Sequence, residues 1–132
     1  MSASDPISDL LTRIRNGLQA DHDDVQLPAS RLKTEIARIL TEQGYVEAYS
    51  VEQGRVGEML TVTLKYTEDR KPVISGMARV SKPGRRHYVA AGEVPKVQGG
   101  MGTTILSTSR GVMTGHDARR EGVGGELVAR VW

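Results

Sequence analysis

Residues 59–66 read Met59-Leu60-Thr61-Val62-Thr63-Leu64-Lys65-Tyr66. Leu60, Val62, Leu64 and Tyr66 share one parity, and Met59, Thr61, Thr63 and Lys65 share the other. A period of two sends these sets to opposite faces of a pleated backbone, so the stretch is a strand with one buried face. The cover for that face lies upstream. Ile7, Leu10, Leu11, Ile14 and Leu18 recur at helical spacing behind Asp5-Pro6. Asp caps free amides and Pro is preorganised for a first turn, so the spacing predicts a helix over 6–18. Gln19–Val25 is expected to be a charged loop. Leu32, Ile36, Ile39 and Leu40 mark a second helix, opened by Pro28-Ala29-Ser30 with Ser30 as its cap and closed by a left-handed Gly44. A strand over 45–51, a hairpin connection at 53–57 and a further strand at 73–80 complete the set. Two helices over three neighbouring strands make a two-layer lobe across 1–66, its sheet extended by 73–80.

The second half is different. Lys82-Pro83-Gly84 is a turn, Tyr88-Val89 begins a short strand, and Gly92–Lys96 forms a turn around Glu93. Strands are expected at Thr103–Leu106 and Val112–Thr114, a short helix at His116–Glu121, and a terminal strand at Glu126–Trp132 after the Gly122–Gly125 turn. Gly99–Gly102 leaves little room for regular structure. The expected fold is therefore α+β in two small lobes, an N-terminal α/β lobe and a β-rich lobe over 83–132. A chain of 132 residues that is 38 % hydrophobic and 26 % charged can bury a real core. No cysteine is present, which rules out disulfides, thiolate metal sites and cysteine nucleophiles. No apolar run approaches a membrane span and no signal peptide is visible, so a cytoplasmic protein without a membrane partner is expected.

Charge is unevenly placed. Residues 1–66 carry 7 Lys/Arg against 10 Asp/Glu, whereas 67–132 carry 11 against 6. Between Arg70 and Gly92 stand Arg70, Lys71, Arg79, Lys82, Arg85 and Arg86 with no acid among them. Such asymmetry fits a solvated basic surface, a face for nucleic acid or membrane, or a site for an acidic substrate, and charge alone does not separate them.

Catalytic constellations are scarce. Ser30-x-x-Lys33 matches a fragment of an acyl-transfer motif, but it stands at a helix start without companion motifs. No nucleophile elbow, phosphate-binding loop or dinucleotide fingerprint occurs. Asp21, His22, Asp23 and Asp24 are the one dense group that a metal-dependent nuclease could use, and they lack a complete ligand spacing. The expectation is no enzyme, no metal and no cofactor. Ser107-Thr108-Ser109-Arg110-Gly111 has two readings: hydroxyls bonded to their own backbone in a turn, or short groups that contact sugar, phosphate and base edges. Tyr88 either stacks on an exposed base or packs between strands.

Several segments in order, from Asp5-Pro6-Ile7 and Leu11-Thr12-Arg13-Ile14-Arg15-Asn16 through Pro28-Ala29-Ser30 and Gly44-Tyr45, resemble one known family. The most specific are Ser81-Lys82-Pro83-Gly84-Arg85-Arg86, Leu106-Ser107-Thr108-Ser109-Arg110-Gly111-Val112-Met113 and Gly124-Gly125-Glu126. Together they resemble the bacterial protein-eight family of the small ribosomal subunit, over nearly the whole chain. That resemblance implies a structural, primary rRNA-binding protein of the subunit's central domain, helping its assembly. It also implies neighbouring small-subunit proteins as partners and a second target in the protein's own operon mRNA. No feature of the sequence requires an oligomer, so a monomer is expected when free.

Carried residue by residue, the resemblance puts Ser107, Thr108, Ser109 and the adjoining Arg110 in the recognition loop and Tyr88 as an RNA-facing aromatic. Lys82, Arg85 and Arg86 fall in a basic turn, and Lys33 in a second backbone-facing region. Glu126 falls in the terminal motif, where it either accepts a base or sugar hydrogen bond or pins arginine and backbone groups of the loop. The Asp21–Asp24 loop is more acidic than the family pattern and is unsuited to clamping phosphate. The rival reading is a protein–protein adaptor without specific RNA binding.

Overall fold

The helix expected over 6–18 forms as α1, Pro6–Gln19, in a computed structural model that describes residues 5–95 and 101–132. The described chain divides into two units: Pro6–Ile74, and Asp5 together with Ser75–Trp132.

In the first unit, α1 buries Ile7, Leu10, Leu11, Ile14 and Leu18, the stripe that the spacing predicts. The second helix, α2, spans Arg31–Glu42. Ser30 Oγ accepts from Lys33 N at 3.2 Å and caps it, so the Ser30-x-x-Lys33 fragment is a helix start. Gly44 follows with φ +82°, the left-handed conformation expected after the helix. The sheet has strand order β1-β3-β2, all antiparallel, with β1 at Asp24–Pro28, β2 at Ala48–Gly54 and β3 at Gly57–Thr63. Leu60 and Val62 are fully buried, as alternation demands. α1 packs on β1 and α2 on β2.

Four expectations change. The strand expected through Tyr66 ends at Thr63, and the Leu64 amide bonds to Asp23 O. The loop expected through Val25 ends earlier, because Val25 and Leu27 pair with Val62 and Leu60. Asp24 and Pro28 disguise this strand, yet both are tolerated on an edge. The strand expected over 45–51 starts at Ala48, because the Tyr45 and Val46 amides both bond to Leu40 O in the helix-ending turn. The stretch 73–80 does not extend this sheet. Only Met77–Arg79 is a strand, β4, and it pairs with the last strand of the chain. Ser75-Gly76 breaks the run, and a side chain at Gly76 would collide with the Trp132 indole.

The second unit holds β5 (Tyr88–Val89), a single 3-10 turn (Ala91–Glu93), β6 (Thr103–Thr108), β7 (Gly111–Thr114), α3 (Gly115–Glu121) and β8 (Gly125–Val131). The sheet order is β4-β8-β6-β7, with β5 also on β8. Thr114 Oγ1 caps α3 and Gly122 at φ +71° ends it. Leu106, Leu127, Ala118 and Val94 form the core between sheet and helix. The Arg119 guanidinium donates to Val94 O at 2.9 Å, tying the segment after the 3-10 turn to α3. Gly99, Gly100 and Lys96 of the expected turns lie outside the described residues.

Candidate nucleic-acid interface

Strand β8 is central because it pairs with β5 and β6 at the same end. Glu126 stands opposite Tyr88 on one side and Ser107 on the other, and Ser107 stands opposite Val112 of β7. Opposed residues of antiparallel strands project to one face. The row Tyr88–Glu126–Ser107–Val112 therefore lines the face away from Leu127 and Leu106, which enter the core. Tyr88 is 69 % exposed, so its ring is an open platform and is not packed between strands.

Glu126 is tied down. Its Oε2 accepts from Ser81 Oγ at 2.5 Å and from Arg86 Nη1 at 3.0 Å. Ser81 is fully buried, and its Oγ also accepts from the His87 amide at 3.0 Å. Burial pushes the Glu126 carboxyl up. The Ser81 and Arg86 hydrogen bonds, with the charges of Arg86 and Arg79, outweigh burial and hold it below its ordinary value. Glu126 thus pins both an arginine and the turn before β5, while among the described residues no bond to its Oε1 is found.

The basic run between Arg70 and Gly92 separates into different jobs. In the N-terminal unit Arg70 binds Asp21 at 2.8 Å, lies 3.6 Å from Asp23, and stacks 4.1 Å over the Tyr66 ring. Asp21 and Asp23 of the 21–24 loop thus face an arginine, and among the described residues no metal-holding cluster forms. In the C-terminal unit Arg79 is paired with Asp5 at 3.1 Å and donates to Val128 O at 2.7 Å. The exposed charges left at the turn are Lys82, Arg85 and Arg86. Reciprocal backbone bonds between Lys82 and Arg85, 2.9 and 3.1 Å, close Pro83-Gly84 into a two-residue turn.

The hydroxyl-rich segment divides as well. Ser107 and Thr108 belong to β6, and the turn itself is Ser109-Arg110. Thr108 Oγ1 donates to Gly111 O at 2.8 Å and accepts from Arg110 N at 3.0 Å, so this hydroxyl serves the turn. For the hydroxyls of Ser107 and Ser109, no bond is found among the described residues, and Ser109 is exposed. Arg110 meets Glu121 at 3.3 Å on an exposed surface. Lys33 belongs to the N-terminal unit and is only 6 % exposed. The resemblance gives it a backbone-facing place; the fold sets it on α2 with little of its surface exposed.

Sequence reasoning missed Ser81 as the anchor of Glu126 and Val112 as the apolar end of the row. It also named Gly124-Gly125-Glu126 without its physical cause. A methyl group on Gly124 would run into the Val89 carbonyl oxygen, and one on Gly125 into that of Ser107. The two glycines let β5 and β6 close on β8, which sets Tyr88 and Ser107 beside Glu126.

The chain was compared with known proteins. The family described as ribosomal protein S8 matches residues 5–132. Among curated relatives, the small ribosomal subunit protein uS8 of Solibacter usitatus is 53 % identical over 129 residues, 98 % of each chain. Its counterparts from Anaeromyxobacter sp. and Roseiflexus castenholzii are 52 % and 50 % identical over the full length of both chains. With the family matched from Asp5 to the last residue and half of all positions shared with such relatives, the chain belongs to the ribosomal protein S8 family.

Proposed function

We propose that this structural protein of the small ribosomal subunit binds the central domain of the small-subunit rRNA through its C-terminal unit. The carrying observation is the row Tyr88–Glu126–Ser107, with an exposed ring and a pinned carboxylate, in the unit that also holds the Lys82–Arg86 basic turn. The family is one of structural proteins, so no bond is made or broken. The relatives are named for the small subunit, a cytoplasmic particle in bacteria. Among the described residues no helix is long and apolar enough to cross a membrane.

The division of labour follows from RNA shape. The deep, narrow major groove of an A-form helix excludes a recognition element, and the shallow side displays 2′-hydroxyls and base edges. A sheet row with an aromatic ring, a carboxylate and a hydroxyl suits that surface. Tyr88 stacks on an unpaired base, the Ser107 and Ser109 hydroxyls meet sugar and base edges, and Lys82, Arg85 and Arg86 neutralise phosphates. The protein acts as a monomer, helps the rRNA fold during assembly, and represses its own operon mRNA where that message presents the same irregular helix.

The test is binding of the purified protein to the central-domain rRNA hairpin and to a scrambled duplex of equal length, across a salt series. Discrimination kept at near-physiological salt supports the reading. Equal affinity that collapses with salt would leave only a basic surface. Adding the operon leader as competitor tests the second target.

Two variants refine it. Replacing both Lys82 and Arg85 by Ala lowers the slope of log affinity against log salt by about 1–2, the release expected from two phosphate contacts. An unchanged slope would remove the turn from the interface. Ser109→Ala weakens the hairpin complex by about fivefold, one ordinary hydrogen bond, and leaves the scrambled duplex unaffected. Equal losses on both RNAs would show that Ser109 reads nothing.

A further inference from the structure

We infer that the outer edge of β2 is a protein-docking site, taking a basic, extended segment of a neighbouring protein as an added strand. The inference goes beyond the RNA reading and concerns the N-terminal unit by itself.

The unit's sheet has two edges, β1 and β2. β1 is five residues long, and it begins with Asp24 and ends with Pro28, devices that blunt an edge. β2 is seven residues long, Ala48–Gly54, and contains neither proline nor lysine. The C-terminal edges are shorter, three residues in β4 and four in β7. Among the described edge strands, β2 thus presents the longest row of backbone donors and acceptors, unbroken by proline. An exposed edge of this kind recruits another strand.

Its side chains say what the strand should carry. Ala48, Ser50, Val51, Glu52 and Gln53 are all exposed, so β2 is open to solvent along most of its length. Val51 stands opposite the fully buried Leu60, on the core-facing side, yet it is 37 % exposed. Val56 at the hairpin tip is 99 % exposed. These valines are apolar contacts at the edge and tip of one hairpin. Glu47, Glu52 and Glu58 belong to the same stretch of chain, with Arg55 as the single base in residues 47–58. Among the described residues, no ion pair of these three carboxylates is found. An RNA backbone would be repelled here, and a segment rich in Lys and Arg would be attracted. Backbone pairing supplies the register and the glutamates select a basic partner.

The chain lacks cysteine, so a single introduced thiol is a unique attachment point. Val51→Cys and Val56→Cys are each coupled to a benzophenone maleimide, assembled into small subunits and irradiated, with Thr12→Cys on α1 as the exposed control. Cross-linked peptides are read by mass spectrometry, and affinity for the rRNA hairpin is measured in parallel. Both positions are expected to join the same Lys/Arg-rich protein segment. The triple charge reversal Glu47→Lys, Glu52→Lys and Glu58→Lys is expected to lower that yield by about tenfold, while hairpin affinity changes no more than about twofold. Cross-links to rRNA, yields no higher than the control, or capture that survives the charge reversal would each overturn the proposal. Because hairpin affinity is scored separately, a failure here is distinguishable from a failure of RNA binding.

Discussion

Gly125→Ala is expected to destabilise the C-terminal unit by about 3 kcal/mol, the upper end of ordinary overpacking. The added methyl has nowhere to go: it meets the Ser107 carbonyl oxygen first and then the Ser107 carbonyl carbon and Thr108 Cα. All three are backbone, so no side chain can rotate away, and β6 must part from β8. The pairs that part are Thr108↔Gly125 and Ser107↔Glu126, and the second belongs to the proposed recognition row. Two readouts should move together. In a domain of this size the melting temperature should fall by roughly 10 °C or more. Affinity for the rRNA hairpin should fall even at a temperature where the variant is still folded. A variant that melts like the parent and binds like it would show that β6 and β8 are not held as closely as the proposed site requires.

That prediction also marks where the sequence was legible. Long periodic elements read correctly: the buried stripe of α1, the Ser30 cap, the alternation through Leu60 and Val62, and the left-handed Gly44 are local consequences of side-chain spacing and backbone sterics. Misread elements depend on partners distant in the chain. β1 has only Val25 and Leu27 to announce it, and its strand character comes from β3 more than thirty residues later. β4 carries an apolar alternation that fits either sheet, and only β8 decides which one takes it.

The same division runs through the candidate site. Tyr88, Lys82 and Arg85 were legible as exposed aromatic and basic groups beside a Pro-Gly turn. Of the two readings of Ser107–Gly111, the self-bonded turn holds for Thr108, and Ser109 is exposed. Spacing carries no signal that separates adjacent hydroxyls, since the outcome depends on which one a β-turn points inward. Ser81 gave no signal either. A serine in a basic run looks solvated until the backbone bonds of Val80 and Ser81 to Val128 and Leu127 bury it beneath Glu126. Lys33 also looks solvated in sequence, yet its position on α2 buries most of it.

Glu126→Ala should change the affinities of the two RNAs in opposite directions. In the parent, Oε2 takes both protein donors, Ser81 Oγ and Arg86 Nη1. The Arg86 pair is half exposed and contributes little to stability. The Ser81 bond is short, charge-assisted and partly buried, so it carries most of the expected destabilisation of about 1–3 kcal/mol. Because the carboxyl is held below its ordinary value of 4.5, this contribution is complete above that pH and is lost as the pH falls through the folded-state value. The melting difference between parent and variant should therefore be constant from pH 7 to 5 and shrink in stronger acid. On RNA, losing the carboxylate removes a repulsive charge and frees Arg86, so the scrambled duplex should bind somewhat better. The hairpin should bind about tenfold worse, since it loses the acceptor at Oε1 and the fixed position of Arg86. A rise in affinity for both RNAs would confine Glu126 to its structural bond with Ser81. A fall for the hairpin alone would make it the point at which the sheet tells one RNA from another.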